Sequence, residues 1–271
     1  QASRSSKAMM ITVVSEIGGI MKKATLGKLW VGTSGYRYAH WAHGAFYPQG
    51  LKPADELSFY TRHFDTFEIN LSFYRLPKLE NLQRWAKITP KRFVFAAKLN
   101  RTITHYRKLK DCAGTLARNR TLGEGLGKKL AVILAQLPPN FPADLSRLKD
   151  FLALLRSDAG SWIPRLAVEF RHPSWLSDDC YKILTDFGAA ICLADWGACE
   201  VRRPNDCDFV YIRRHGGHNA GCYTEEQIRD DADLVHKNLA FGKTIFVYYN
   251  NDVNCYAIRN ARNILTTIKD Y

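Results

Sequence analysis

The feature that most constrains this chain is a repeated unit: a short apolar run of β character ends in polar residues and is followed by a longer segment with helical spacing. Eight such runs occur: Leu29 to Thr33, Thr66 to Leu71, Arg92 to Leu99, Leu130 to Gln136, Arg165 to Arg171, Ala189 to Asp195, Asp208 to Arg213 and Thr244 to Tyr249. Helical spacing fills Pro53 to His63, Leu79 to Lys87, Asp144 to Arg156, Ser177 to Phe187, Thr224 to Phe241 and Asn254 to Ile268. Ser177 before two aspartates, and Thr224 three residues before Gln227, are helix start signals. Such an alternation predicts an α/β fold, a single (β/α)8 TIM-barrel-like domain with parallel strands, over a doubly wound sheet of fewer strands. No G-x-G-x-x-G follows the first run, so no nucleotide cofactor is signalled.

A parallel barrel gathers its chemistry at the C-terminal ends of its strands. In chain order those ends supply Ser34 and Tyr36, Glu68 and Asn70, Lys98, Gln136, Glu169 with Arg171 and His172, Asp195, Arg213 with His215, and Asn250 with Asn251. A core that Val and Leu could fill gains nothing from so many polar groups, since each one left unpaired costs about 1 to 3 kcal/mol. The set therefore reads as a site. Glu68, Glu169, His172, His215 and Asp195 are the catalytic candidates, with Glu169 or Glu68 as general base and His172 or His215 as acid or hydrogen-bond donor. Arg171, Arg213 and Arg75 suit an anion, because a guanidinium presents a planar fork of donors. Lys98 is expected to pair with Glu68 and not to act as a Schiff-base nucleophile. Of the two adjacent amides, one should order the loop and the other face a ligand, because neighbours on a strand point to opposite sides. Glu169→Gln and Arg213→Ala are expected to abolish activity and spare the fold.

Charge narrows the partner. The 271 residues carry a formal +13, and Lys87 to Lys129 holds twelve Lys or Arg against only Asp111 and Glu124. Such a balance points to an anion, either a phosphorylated small molecule or a nucleic acid contacted through region 101 to 129, which includes His105. In the nucleic-acid reading Tyr36, Trp41, Tyr74 or Trp175 would stack on bases. A divalent metal would draw its ligands from Glu68, Glu169, Asp195, His172 and His215, although no local metal-binding spacing supports one. Seven cysteines without a C-x-x-C pair fit a reducing cytoplasm. Residues 1 to 28 read as an N-terminal extension, poorly ordered or upstream of a natural start at Met21, before a folded domain of residues 29 to 271. Its apolar stretch is too short to span a membrane.

Several blocks together resemble one family. They are Val31-Gly32-Thr33-Ser34-Gly35-Tyr36 with Trp41 and Phe46-Tyr47-Pro48, Glu68-Ile69-Asn70 with Ser72-Phe73-Tyr74-Arg75, and Phe93 to Lys98 with Ile103-Thr104-His105. Gln136-Leu137-Pro138-Pro139, Glu169-Phe170-Arg171-His172 with Trp175, Asp195, Tyr211 to Gly216, Tyr223 and Tyr249-Asn250-Asn251-Asp252 continue the match. The chain is similar over residues 29 to 268 to the YecE-like domain of unknown function. That resemblance implies a TIM-barrel-like fold and no established activity; Cys222, where the pattern has a bulkier residue, is a departure. Two functions follow as expectations. One is an enzyme acting by general acid/base chemistry on a phosphorylated or other anionic substrate, as a hydrolase, isomerase or lyase. The alternative is a nucleic-acid-binding protein or a metal-dependent DNA nuclease, by fold-level analogy with endonuclease-like barrels.

Overall fold

The computed structural model describes residues 27–157, 161–217 and 221–271, so most of the expected N-terminal extension lies outside the described residues. The strands are β1 (Leu29–Ser34), β2 (Thr66–Ile69), β3 (Val94–Lys98), β4 (Leu130–Gln136), β5 (Leu166–Glu169), β6 (Ala190–Trp196), β7 (Cys199–Glu200), β8 (Phe209–Arg214) and β9 (Thr244–Tyr249). All except β7 pair in parallel, in the order β5-β4-β3-β2-β1-β9-β8-β6. Pairing of Ala167 with Ala190 and of Val168 with Ile191 closes the ring between β5 and β6. The fold is the expected eight-stranded (β/α)8 barrel.

Helices wrap its outside: α1 (Glu56–Tyr60), α2 (Leu71–Tyr74), α3 (Leu79–Ile88), α4 (Ala113–Asn119), α5 (Thr121–Leu126), α6 (Leu145–Arg156), α7 (Asp178–Asp186), α8 (Glu225–Ala240) and α9 (Tyr256–Thr267). Their starts follow from local chemistry. Ser177 accepts a hydrogen bond from the Cys180 N–H, Asp144 accepts one from the Arg147 N–H, and Thr224 with Gln227 forms a reciprocal capping box, so orphan N–H groups are satisfied before packing begins. One crossover departs from the repeat. Between β6 and β8 no helix forms among the described residues; Asp195 and Trp196 instead pair antiparallel with Glu200 and Cys199. The intervening stretch contains Pro204 and is too short for a helix with its two turns.

Strand alternation sorts every side chain to the lumen or to the helix layer. On β8, Phe209, Tyr211 and Arg213 point in, while Val210 and Ile212 join the outer core. Inside, the lumen is graded. Trp30, Phe209 and Phe246 fill the N-terminal end, where Trp30 stacks on Phe246 at 5.4 Å between ring centroids. Above them the small residues Ala96, Ala167, Cys192 and Ala194 leave room for the rings of Tyr211 and Tyr248. The topmost inward layer is polar, with Ser34, Glu68, Lys98, Gln136, Glu169 and Arg213 all buried.

Candidate active site

The polar layer is organised around one guanidinium. Arg213, 1% exposed, donates from Nη2 to Glu68 Oε1 at 2.8 Å and from Nη1 to Glu169 Oε2 at 2.6 Å, joining two carboxylates that are each 0% exposed. Glu68 also accepts from Ser34 Oγ at 2.9 Å and from the Tyr211 hydroxyl at 2.6 Å. Glu169 accepts from Arg171 Nε at 2.9 Å, and His215 Nε2 lies 3.4 Å from the same oxygen. Burial would raise the Glu169 carboxyl, but Arg213, with His215 and Arg171, outweighs it and holds the group well below the usual carboxylate range. Two carboxylates so fully engaged anchor cations, and both are buried beneath the cavity wall.

Lys98 is the opposite case. Its expected ion pair with Glu68 does not form, because Arg213 takes that carboxylate; the Lys98 amine instead donates to the Gln136 side-chain oxygen at 2.8 Å and lies 4.3 Å from the centre of the Phe73 ring. Burial and the like charge of Arg213 bring its pKa down to about 8. A second displaced group is His105, carried on a π-helical turn, Thr102–Tyr106, directly after β3. Burial and the neighbouring charges of Lys98 and Arg171 lower its pKa to about 4, so it is neutral at pH 7.

Above this layer opens a cavity of about 680 Å³. Its walls carry Lys98, Arg101, Arg171, Arg213, His105 and His215, with aromatic rings between them and no carboxylate, since both glutamates lie beneath the surface. Arg171 sits over the Trp196 ring at 3.7 Å, and Arg101 lies between the exposed rings of Tyr74 and Tyr106 at 5.5 and 5.3 Å. Two polar atoms at the mouth have no partner, Arg213 Nε and Asn70 Oδ1. A somewhat larger cavity, about 780 Å³, lies at the opposite end among Trp30, Val94, Thr244 and Phe246. Among the described residues its lining lacks the buried carboxylate and guanidinium network of the mouth.

Of the residues singled out from sequence, the mouth brings together Ser34, Glu68, Asn70, Tyr74, Lys98, His105, Gln136, Glu169, Arg171, Arg213, His215 and Asn250. Five others lie elsewhere, three of them for one reason: the parity of their strand, which turns Asp195, His172 and Asn251 outward. Asp195 points outward from β6, accepting from the His215 N–H at 2.6 Å and from the Tyr223 hydroxyl. His172 follows the outward Phe170 and bonds Ser174 Oγ at 2.8 Å, capping the turn Pro173–Trp175. Asn251 donates to the Gly221 carbonyl at 2.6 Å and to Asn260 Oδ1 at 2.8 Å, ordering its loop, whereas Asn250 lines the mouth and lies 3.1 Å from His215 Nδ1. Tyr36, beyond the turn at Gly35, packs on Phe67 in the outer core. Arg75 is exposed at the end of α2, outside the cavity wall.

The metal set expected from sequence is therefore not gathered: Asp195 and His172 face away from the two glutamates, and among the described residues no group of three or more His, Cys, Asp or Glu is placed to hold an ion. Trp41 and Trp175 are both 0% exposed, bonded to Asp252 and to the Phe141 carbonyl, so of the four aromatics proposed for stacking only Tyr74 reaches the mouth. Residues that sequence reasoning missed are Tyr38, Phe73, Trp196 and Tyr211, whereas Arg101 and Tyr106 belong to the basic region it had read as a nucleic-acid contact. Trp196 and Tyr211 carried a signal: each is two residues from a small or polar inward neighbour, Ala194 or Arg213, and shares its face. Among the described residues no helix is long and apolar enough to cross a membrane.

A closed parallel barrel with a cation-lined cavity at the C-terminal mouth, built over two buried carboxylates, places this chain among the TIM-barrel proteins. It belongs to the family described as protein of unknown function DUF72, which it matches over residues 30–270. Relatives include the UPF0759 protein YunF of Bacillus subtilis (strain 168), 25% identical over 256 residues, covering 82% of this chain and 90% of that protein. The UPF0759 protein YecE of Escherichia coli (strain K12) is 31% identical over 138 residues, 51% of this chain and 48% of its own length. The crystal structure of a DUF72 family protein from Thermotoga maritima superposes with a TM-score of 0.77 at 26% identity, covering 89% of this chain and 99% of that one.

Proposed function

We propose that this chain is an enzyme whose barrel mouth takes a small anionic substrate, phosphorylated or carboxylated, and turns it over by proton transfer. The observation that carries the reading is the sign of the cavity wall: four cations and two histidines face the opening, while both carboxylates lie beneath it. Arg101 and Arg171 reach furthest toward solvent and bind the anion. Arg213, held from below by Glu68 and Glu169, offers its unpartnered Nε and fixed positive charge, a preorganised dipole that needs no rearrangement on binding. His215 and Lys98 are the groups placed in the cavity wall to exchange a proton with the bound substrate, and the two glutamates keep the cations in place.

A small ligand is favoured over a nucleic acid by where the basic run goes. Residues 101–129 start at the C-terminal end of β3 and finish at the N-terminal end of β4, so Arg101 and Lys129 lie at opposite ends of the barrel. Lys108 donates to the Asn140 carbonyl and Lys129 to the carbonyls of Ala86 and Thr89, so both are engaged with backbone carbonyls. The run is divided between the two ends of the barrel, which favours a small ligand at the mouth over a long phosphate backbone.

Calorimetric titration of inorganic pyrophosphate into the wild type and Arg171→Gln tests the reading. Saturable one-site binding is expected, weakened roughly 10- to 100-fold in the variant by loss of a charge-assisted contact worth about 1.5 to 3 kcal/mol. Absence of binding, or equal binding in the variant, would remove the anion site from the mouth.

A further inference from the structure

Among the described residues Lys98 holds the one primary amine in the wall of the mouth cavity, and three observations set it apart from an ordinary anchoring lysine. Among the described residues it makes no ion pair; its hydrogen-bond partner is the neutral amide of Gln136; and the Phe73 ring lies against the amine, 4.3 Å from it at the ring centre. The two guanidiniums beside it, on Arg171 and Arg213, are each tied to Glu169, so the like charges stay fixed near the amine, and burial with the charge of Arg213 outweighs the attraction of Glu68 and Glu169. Its backbone is fixed as well, since Ser72 Oγ donates to the Lys98 carbonyl at 2.7 Å and to that of Ile69 at 2.9 Å. A desolvated amine beside other cations is the environment in which lysine becomes a nucleophile and not merely a charge.

We propose that Lys98 forms an imine with the carbonyl carbon of an anionic aldehyde or ketone bound at the mouth, an inference that rests on the anion-binding reading and names its substrate class. The amine lone pair attacks the carbonyl carbon, a C–N bond forms and the C=O π pair moves to oxygen. The two amine hydrogens then leave with that oxygen as water, and a C=N bond remains. No oxidant or reductant enters. Arg171 and Arg101 hold the substrate's phosphate or carboxylate, and His215, bonded to Asn250, stands beside Arg213 on the β8 and β9 side of the same cavity to accept or return a proton on the activated carbon. A pKa of about 8 supports the assignment, because the unprotonated fraction at neutral pH is then about two orders of magnitude above that of an ordinary lysine.

Borohydride trapping tests this on the intact chain. Glyoxylate, a carboxylate-bearing aldehyde, and glycolaldehyde phosphate, its phosphate-bearing counterpart, are each incubated with protein and borohydride, and every modified lysine is located by peptide mass spectrometry. The expected result is a reduced adduct on Lys98, for at least one probe, on the order of tenfold faster than on any other lysine, and slowed by pyrophosphate. The probe that reacts faster identifies the anion. Lys98→Arg keeps the positive charge and should bind pyrophosphate while losing the fast adduct. Pyrophosphate binding without preferential labelling of Lys98 overturns the imine and leaves the anion site standing. Preferential labelling that pyrophosphate neither slows nor binds beside keeps the nucleophile and overturns the anion reading.

Discussion

Arg213 shows how a single side chain can be both the centre of a site and a structural liability. Its guanidinium neutralises Glu68 and Glu169 in a lumen that admits almost no water, so Arg213→Ala would leave two buried charges facing each other. Breaking such a pair costs roughly 3 to 5 kcal/mol, and we expect this variant to unfold or accumulate as aggregate, contrary to the benign outcome expected from sequence alone; urea denaturation measures it. Lys98 predicts the reverse. A base whose folded pKa is depressed binds fewer protons folded than unfolded, so its cost is fully present below about 8 and is relieved as pH rises toward 10.5. Lys98→Met should therefore stabilise the protein by about 1 to 2 kcal/mol near pH 7, after allowing for the lost Gln136 bond, and the gain should vanish between pH 8 and 10.5. Chemical denaturation of both proteins across that range would show it; a gain that grows with pH would contradict the depressed pKa.

At the level of elements, the outer layer depends on how closely its helices seat. Gly125 on α5 faces α3, and a Cβ there would stand 2.4 Å from Leu82 Cβ, so these two helices meet with no room for a methyl group. Gly125→Ala improves helix propensity by up to about 1 kcal/mol, yet the clash should win. We expect a net loss of about 1 to 3 kcal/mol in thermal or denaturant melts, with stabilisation as the contrary result. Several elements were legible beforehand because their signals are local: the capping box of Thr224 and Gln227, the Ser177 cap, and the β-branched and aromatic runs of β4, β8 and β9. The hairpin of β6 and β7 was not. It replaces a helix because a short polar stretch containing Pro204 folds back on Asp195 and Trp196, a pairing that only the neighbouring strands make favourable.

At the scale of the described residues as a whole, the basic run 101–129 is divided between the two ends of the barrel, and duplex DNA should therefore bind weakly. Six phosphate contacts would give a slope of about −5 in log affinity against log salt, whereas engagement of the mouth alone should give about −1 to −2. Fluorescence anisotropy over a salt series distinguishes them, and a steep slope with tight binding would move the function toward nucleic acid. By itself the sequence determined that there are eight apolar strands, where they end, that their ends are polar and that the chain resembles one family. These properties are carried by composition and short-range periodicity, and the backbone obeys both before any tertiary contact forms. Tertiary structure alone decided which of those polar ends converge. Strand parity turned Asp195, His172 and Asn251 outward and brought Trp196 and Tyr211 in, and closure of the ring gave both glutamates to Arg213. That last choice left Lys98 without a contact ion pair, because a single guanidinium can satisfy two carboxylates at once and an ammonium has no planar fork with which to compete.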